Sequence, residues 1–254
     1  MLFKTSTLLT HHTNLVHRFT SRIGGQSKAP YKSNNLAFHV GDNEDDVIAN
    51  HQHLAKQLHY DHTKLVHMRQ VHSNLVLVVN PETDHFNTPP ECDALVTDQP
   101  NIPLMVMVAD CTPILFFDSV KKVIAVAHAG RMGALYNIVS ETIKTMTNHF
   151  HSDKKNIQVI IGPSIHSCCY EIGEEVAQEV SDAGYHDALI LRDEKHYLDV
   201  NHIVHSQLKT LEIPQENIED LNICNACHNL SFFSYRADEE TTGRCAGVIM
   251  LKES

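Results

Sequence analysis

"VADCTPILFFDSVKKVIAVAHAG", residues 108–130, holds two apolar runs with a chemically capable side chain at each outer end. "CTPILFFD" (111–118) and "KKVIAVAH" (121–128) flank the dipeptide "SV". Their Ile, Val and Phe content predicts two antiparallel strands buried on both faces. In a hairpin the numbers of opposed residues have a constant sum. A turn centred between Ser119 and Val120 opposes Asp118 to Lys121 and Cys111 to His128. Directly opposed residues share a face, with Cβ atoms about 4.5–5.5 Å apart. A thiolate and an imidazole at that distance suit a shared metal ion or a nucleophile–base couple. They also suit a plainer reading, a buried Cys serving as a small hydrophobe and a His that closes a strand. The pairing depends on the turn. "SV" is a poor two-residue turn, a longer loop with the same centre ("DSVK") preserves the pairing, and a shift of one residue destroys it.

A third donor lies upstream. "HMRQVHSNLVLVV" places His72 just before a β-branched run at 73–80. His72, Cys111 and His128 make three N/S ligands with an open fourth position, the pattern of a catalytic zinc. Spacing in sequence does not by itself bring them together.

Around this centre the periodicity alternates between helix and strand. "NEDDVIANHQHLAKQL" (43–58) has helical spacing and acids at its start, where the helix dipole favours them. "PLMVMVAD" (103–110) and "NIQVIIGPS" (156–164) read as buried strands, and "RMGALYNIVSETIKTMTNHF" (131–150) as one amphipathic helix. Helices are also predicted over 173–184 and over 199–213, the latter with Asp199 as N-cap. "LSFFSYRAD" and "AGVIML" read as closing strands. This mixture lacks a strict βαβ alternation and predicts an α+β, mixed-sheet architecture.

Composition bounds the rest. The chain of 254 residues is 42% hydrophobic, enough for one large core. No Gly/Ser/Pro-rich linker divides it, so residues 1–254 are expected to form a single domain. A net charge of −11 argues against nucleic acid as a partner, which demands a basic footprint. No apolar run reaches the ~18 residues of a membrane span, and the N-terminal stretch is too interrupted for a signal peptide. The expectation is a cytoplasmic protein whose 7 cysteines are mostly thiols. Most of the 20 histidines sit among polar residues and are expected to face water.

The strings "HRFTSRIGG", "NNLAFHVGDNEDDVIANHQHL", "QVHS", "DALVTDQPNIPLMVMVADCTPILFFD", "VAHAG", "GPSIHSCCYEIGEEV" and "FFSYRADEETTGR" follow one another in this order. This chain thereby resembles the YfiH/YlmD family, once labelled polyphenol oxidase or multicopper laccase and now associated with purine nucleoside phosphorylase activity. The resemblance runs from about His17 to Leu251. It implies a layered α/β/β/α fold of the cysteine-hydrolase type and a zinc held by His72, Cys111 and His128. It implies phosphorolysis of adenosine, inosine or methylthioadenosine, associated adenosine deamination, and a homodimer. One departure lies beside the ligands: the frequent H-A-G-W-R-G reads "HAGRMG" here, with Arg131 and Met132 in place of Trp and Arg.

Phosphate on an acidic protein needs local cations, and the arginine fork suits it best. The candidates are Arg22, Arg131, Arg236 and Arg244; Gly24 and Gly25 offer backbone N–H groups to an oxyanion. Surface ion pairing is the competing role for each arginine. His39 and Asp42 are candidate acid–base or substrate groups, with loop capping the alternative for Asp42. Asp110 is a candidate for orienting a ligating histidine. Copper competes for the same Cys/His donors, which keeps a copper-dependent phenol oxidoreductase open, although the H-x-H of "HQH" (51–53) lies in a predicted polar helix. A metal-free cysteine hydrolase with Cys111 as nucleophile and His128 as base is a further alternative. "CNACH" (224–228) matches the haem-attachment pattern C-x-x-C-H, but no export signal accompanies it. One C-x-x-C pair cannot complete a four-ligand zinc site. Cys224 fits the family cysteine before "FFSYR", and Cys227 reads as incidental.

Overall fold

The computed structural model describes residues 2–80, 82 and 86–253. Its strands are Phe3–Lys4 (β1), Leu15–Thr20 (β2), Val76–Val78 (β3), Ala94–Thr97 (β4), Leu104–Val108 (β5), Thr112–Asp118 (β6), Val123–Ala129 (β7), Ile157–Ile161 (β8), Glu171–Ile172 (β9), Leu189–Arg192 (β10), Lys195–Leu198 (β11), Ile218–Asp220 (β12) and Cys245–Leu251 (β13). The helices are Glu44–Leu58 (α1), Arg131–Leu135 (α2), Ile138–Phe150 (α3), Glu174–Asp182 (α4) and Val200–Thr210 (α5). Asp199 caps α5 by accepting from the His202 N–H at 3.0 Å, as its position predicts.

The strands form a six-stranded sheet ordered β12-β8-β6-β7-β4-β3, a four-stranded sheet ordered β1-β2-β13-β5 and a three-stranded sheet ordered β10-β11-β9. Alternation along β6 explains the stacking. Leu115 and Phe117 face Phe19, Leu104, Val106 and Ile249 of the four-stranded sheet. Ile114 and Phe116 face the other way, toward Ile143, Met146, Val204 and Leu208 of α3 and α5. The outer face of the four-stranded sheet packs Val16, Met105 and Val248 against Leu54 and Leu58 of α1. The layers therefore run helix, sheet, sheet, helix. Phe116 and Phe117 are fully buried, each contributing roughly 1.5–3 kcal/mol through burial. Among the described residues no helix is long and apolar enough to cross a membrane.

The hairpin forms, but its register differs from the expected one. Asp118 opposes Val123 and Pro113 opposes His128. The Asp118 carboxylate accepts from the N–H groups of Val120 at 2.8 Å and Lys121 at 3.0 Å, and Lys122 closes the loop with φ 56°. Side-chain capping of this kind competes with a tight two-residue turn, so the turn takes residues 119–122. Cys111 therefore lies diagonally from His128, not opposite it. The slip is an even number of residues, so both keep the same face.

Three further expectations change. The helix over 131–150 is broken into α2 and α3 at Asn137, whose φ of 62° lies in the left-handed region; Asn accepts this better than most residues. "LSFFSYRAD" is a series of turns, held by Asp238 N–H to Ser234 O at 2.9 Å and by Asp238 accepting from the Ser234 N–H at 3.3 Å. Its Phe232 and Phe233 are buried beside Ala109 and Cys245, which gives it the apolar look of a strand. His51 does not face water: it is fully buried against Phe38 and its Nε2–H donates to Leu36 O at 2.8 Å. Burial holds its pKa down at about 3. His53, two residues along the same helix, is half-buried on a different face, so "HQH" does not converge on one point.

Candidate metal and substrate site

His72, Cys111 and His128 converge: one donor atom from each lies within 4.8 Å of the others. His72 sits in the loop before β3 with φ 59°, and its Nε2 is 3.9 Å from Cys111 Sγ. Cys111 directly precedes β6, following Asp110 with φ 91°. His128 is near the end of β7. Gly130 is required beside them, because a Cβ there would lie 2.8 Å from His72 Cδ2 and 3.0 Å from Cys111 Sγ.

The residue that organises the trio is Asp93, fully buried at the entry to β4. Its Oδ1 is 2.8 Å from His128 Nδ1 and accepts from the His72 N–H at 3.1 Å. Its Oδ2 accepts from the Ser73 N–H at 2.6 Å and the Ser73 hydroxyl at 2.7 Å. Nδ1 of His128 is thereby engaged, which leaves Nε2 for a ligand; carboxylate–histidine–metal chains are built this way. Burial raises the Asp93 pKa, but the hydrogen bonds from His128 and Ser73 outweigh it and hold the carboxyl below its ordinary value. Sequence reasoning placed this orienting role on Asp110. Asp110 instead accepts from the Ser234 hydroxyl and the Arg236 N–H, each at 2.7 Å. The signal for Asp93 was its place as the acid opening "DALVTD", beside a strand that pairs with the one carrying His128.

Without a metal, Cys111 and His128 polarise each other. Burial pushes the Cys111 thiol up, yet the positive charge and hydrogen bond of His128, aided by His72, bring it down to about 6. Burial likewise pushes His128 down, and the Cys111 thiolate with the Asp93 carboxylate lifts it to about 9. The thiolate is thus the reactive form above about pH 6, whereas an ordinary Cys ionises near ~8.5. Iodoacetamide is expected to alkylate Cys111 of the metal-free protein almost as fast at pH 7 as at pH 8.5, with the rate falling below pH 6. Added zinc should block it. A rate that climbs tenfold between pH 7 and 8.5 would show an ordinary thiol.

The trio lies in the wall of a cavity of 560 Å³ also lined by His39, Tyr170, Arg131, Tyr235, Arg236 and Arg244. Arg236 reaches Glu171 O at 2.9 Å, and its guanidinium lies over the Tyr170 ring. Arg244 donates to the carbonyls of Thr242 and Gly243. Arg131, at the departure from the family pattern, is ion-paired with Glu179. Arg22 is not brought to this cavity: it donates to Asn229 O at 2.6 Å and to Asp238 at 3.1 Å, and lies over Phe233. The N–H groups of Gly24 and Gly25 are taken by the Ser33 hydroxyl, so they do not form an anion cradle. Asp42 acts as a loop cap, accepting from Asn35 Nδ2 at 2.9 Å and the Asn43 N–H at 2.8 Å.

A mixed α/β fold of stacked sheets, with an N/S donor trio braced by a buried carboxylate in a cavity wall, defines the class. Residues 16–252 match the family model described as multi-copper polyphenol oxidoreductase laccase, and the chain belongs to that family. Among its relatives, the purine nucleoside phosphorylase Cgl2154/cg2365 of Corynebacterium glutamicum is 37% identical over 241 residues, covering 92% of this chain and 93% of the relative. The purine nucleoside phosphorylase YlmD of Bacillus subtilis is 28% identical over 253 residues, covering 96% and 91%. The crystal structure of the Bacillus licheniformis hypothetical protein YfiH superposes with a TM-score of 0.89 at 30% identity, covering 94% of this chain and 93% of that one.

Proposed function

We propose that this chain is a zinc-dependent purine nucleoside phosphorylase acting on adenosine, inosine and methylthioadenosine, with adenosine deamination as a second activity. The observation that carries this reading is the donor trio, His72, Cys111 and His128, in one cavity with Arg236 and Arg244. The names of the relatives agree with it. Two imidazoles and a thiolate with an open fourth position are the donor chemistry zinc favours, and the space kept clear by Gly130 lets the donors approach. Zinc bound there supplies a Lewis acid for an oxygen atom.

In phosphorolysis a phosphate oxygen bonds to C1′ of the ribose while the C1′–N9 bond breaks. The purine leaves with that electron pair and takes a proton. Arg236 and Arg244 would hold the phosphate, and Arg131 would assist once released from Glu179. Tyr170 and Tyr235 offer flat faces to the base, and His39 is the candidate proton donor at the rim. Arg22 has no part in this scheme, because its guanidinium is committed to Asp238 and Asn229 O.

A panel of nucleosides with and without phosphate, read for free base and for ammonia, tests the proposal. Phosphate-dependent release of base is expected, together with ammonia from adenosine. His72→Ala should lose the zinc of the donor trio and phosphorolysis together while remaining folded. Phosphate-dependent base release that persists in this variant rejects the mechanism. The second reading, a metal-free cysteine hydrolase, is favoured by the mutual polarisation of Cys111 and His128. It predicts activity that survives chelation and is destroyed by alkylation of Cys111. The cysteine-hydrolase fold type, the homodimer and a single domain over 1–254 belong to the same proposal.

A further inference from the structure

A second group of donors lies away from the trio. Cys168 and Cys169, in the turn after β8, meet Cys224 and Cys227 from the segment after β12, and the four sulfurs lie within 4.8 Å of one another. Cys227 Sγ is 3.5 Å from Cys168 Sγ and 3.3 Å from Cys169 Sγ. Zinc–sulfur bonds of about 2.3 Å give a tetrahedron with sulfur–sulfur edges of about 3.8 Å. A disulfide would need about 2.05 Å between one chosen pair, and here one sulfur is close to two others. The spacing surrounds one ion and leaves no room for a multi-iron cluster with bridging sulfides.

The backbone is arranged for such a site. The Ser164 N–H donates to Ile223 O at 3.1 Å and the Asn225 N–H to Ser164 O at 2.9 Å, which fixes one cysteine pair against the other. The N–H groups of His166 and Cys227 point at the Cys224 sulfur. Arg192 brings its guanidinium to the carbonyls of Ser167 and Cys168, each at 3.4 Å. A site of four thiolates and one divalent ion has net charge −2, so a neighbouring cation and N–H donors stabilise it.

We infer that Cys168, Cys169, Cys224 and Cys227 bind one four-coordinate zinc ion that fastens together two walls of the cavity. Binding releases the thiol protons as the ion enters. No position remains open for water or substrate, so the role is structural. Tyr170 directly follows Cys169, and Tyr235 and Arg236 lie on the segment that leaves Cys227. The ion thus anchors side chains that line the cavity from both sides. The C-x-x-C of "CNACH" is completed by a vicinal pair far away in sequence, so Cys227 is not incidental.

Zinc content of the full chain, isolated under reducing conditions, gives the first test. Cys168→Ser/Cys227→Ser should carry one equivalent less than the unsubstituted chain, and the same difference should appear in a Cys111→Ser background. The assignment therefore stands or falls separately from the reaction proposed above. Cobalt(II) titration of the metal-free chain is the second test and needs no cysteine substitution in the cluster. It should give the intense thiolate charge-transfer absorption of a four-sulfur site, retained in Cys111→Ser. Equal zinc content in both chains overturns the assignment. So does a disulfide among these cysteines in freshly alkylated protein, or a folded chain without the four-sulfur cobalt spectrum.

Discussion

Asp93→Ala is expected to strip the trio of its metal and to destabilise the chain. The variant leaves the N–H groups of His72 and Ser73, the Ser73 hydroxyl and His128 Nδ1 without their common acceptor. Removing one partner of a buried, hydrogen-bonded charge costs about 3–5 kcal/mol. For a chain of this length that lowers Tm by roughly 10 °C. Losing the carboxylate behind a ligating histidine costs a further roughly 10–100-fold in metal affinity. Because the Asp93 carboxyl is held below its ordinary pKa, its contribution is complete above ~pH 4 and disappears only as pH falls through the lowered value. Thermal unfolding and zinc titration of the variant at pH 7 check both effects. A Tm within 2 °C of the unsubstituted chain, with zinc affinity unchanged, would remove Asp93 from the role given to it.

Gly130→Ala should act in the opposite way on stability and in the same way on the site. The φ of Gly130 is −73°, which alanine adopts without strain, and at such positions the change stabilises by about 0.4–1 kcal/mol. Its Cβ, however, would stand 2.8 Å from His72 Cδ2 and 3.0 Å from Cys111 Sγ. The imidazole and thiol must move apart by several tenths of an ångström, and a misplacement of about 1 Å costs on the order of 100-fold in rate. The expected result is a folded protein with an unchanged or slightly raised Tm and phosphate-dependent purine release reduced on the order of 10-fold. Steady-state turnover beside a melting curve decides it. Unimpaired turnover would mean that the trio tolerates a wider spacing than zinc chemistry allows.

The two effects differ because the residues enter the site differently. Asp93 is a hub of hydrogen bonds inside the sheet, so fold and site fail together. Gly130 only leaves space. The same contrast bears on the arginines. Arg22 and Arg236 look equivalent as basic residues in family motifs. Arg22 is held by Asp238 and Asn229 O, whereas Arg236 lines the cavity. Nothing local in either motif separates them, because the acid that neutralises Arg22 lies far along the chain.

Local patterning was enough for most elements. The spacing in 43–58 marks α1 because an amphipathic helix repeats its apolar face every 3–4 residues. The apolar runs at 103–110 and 111–128 mark β5, β6 and β7 because a strand packed on both sides shows no polar alternation. The shared face of Cys111 and His128 also followed from the two-residue period of strands and survived the even slip in register. The order of motifs carried the family, and His72 with it.

What remained required contacts across the fold. The hairpin register was decided by the Asp118 carboxylate over its own turn. The "FFSYR" segment turned instead of extending, because Ser234 and Asp238 bind backbone groups that a strand would have used. Asp93 could be assigned only when β4 was seen beside β7. The vicinal Cys168 and Cys169 lie far from the C-x-x-C of "CNACH" in the sequence, and it is the parallel approach of Ser164 to Cys224 that brings them together. Periodicity is a property of neighbouring residues, so one chain of letters displays it. Convergence of donors depends on which strands pair and how far each slips, and packing energy summed over the whole core decides that.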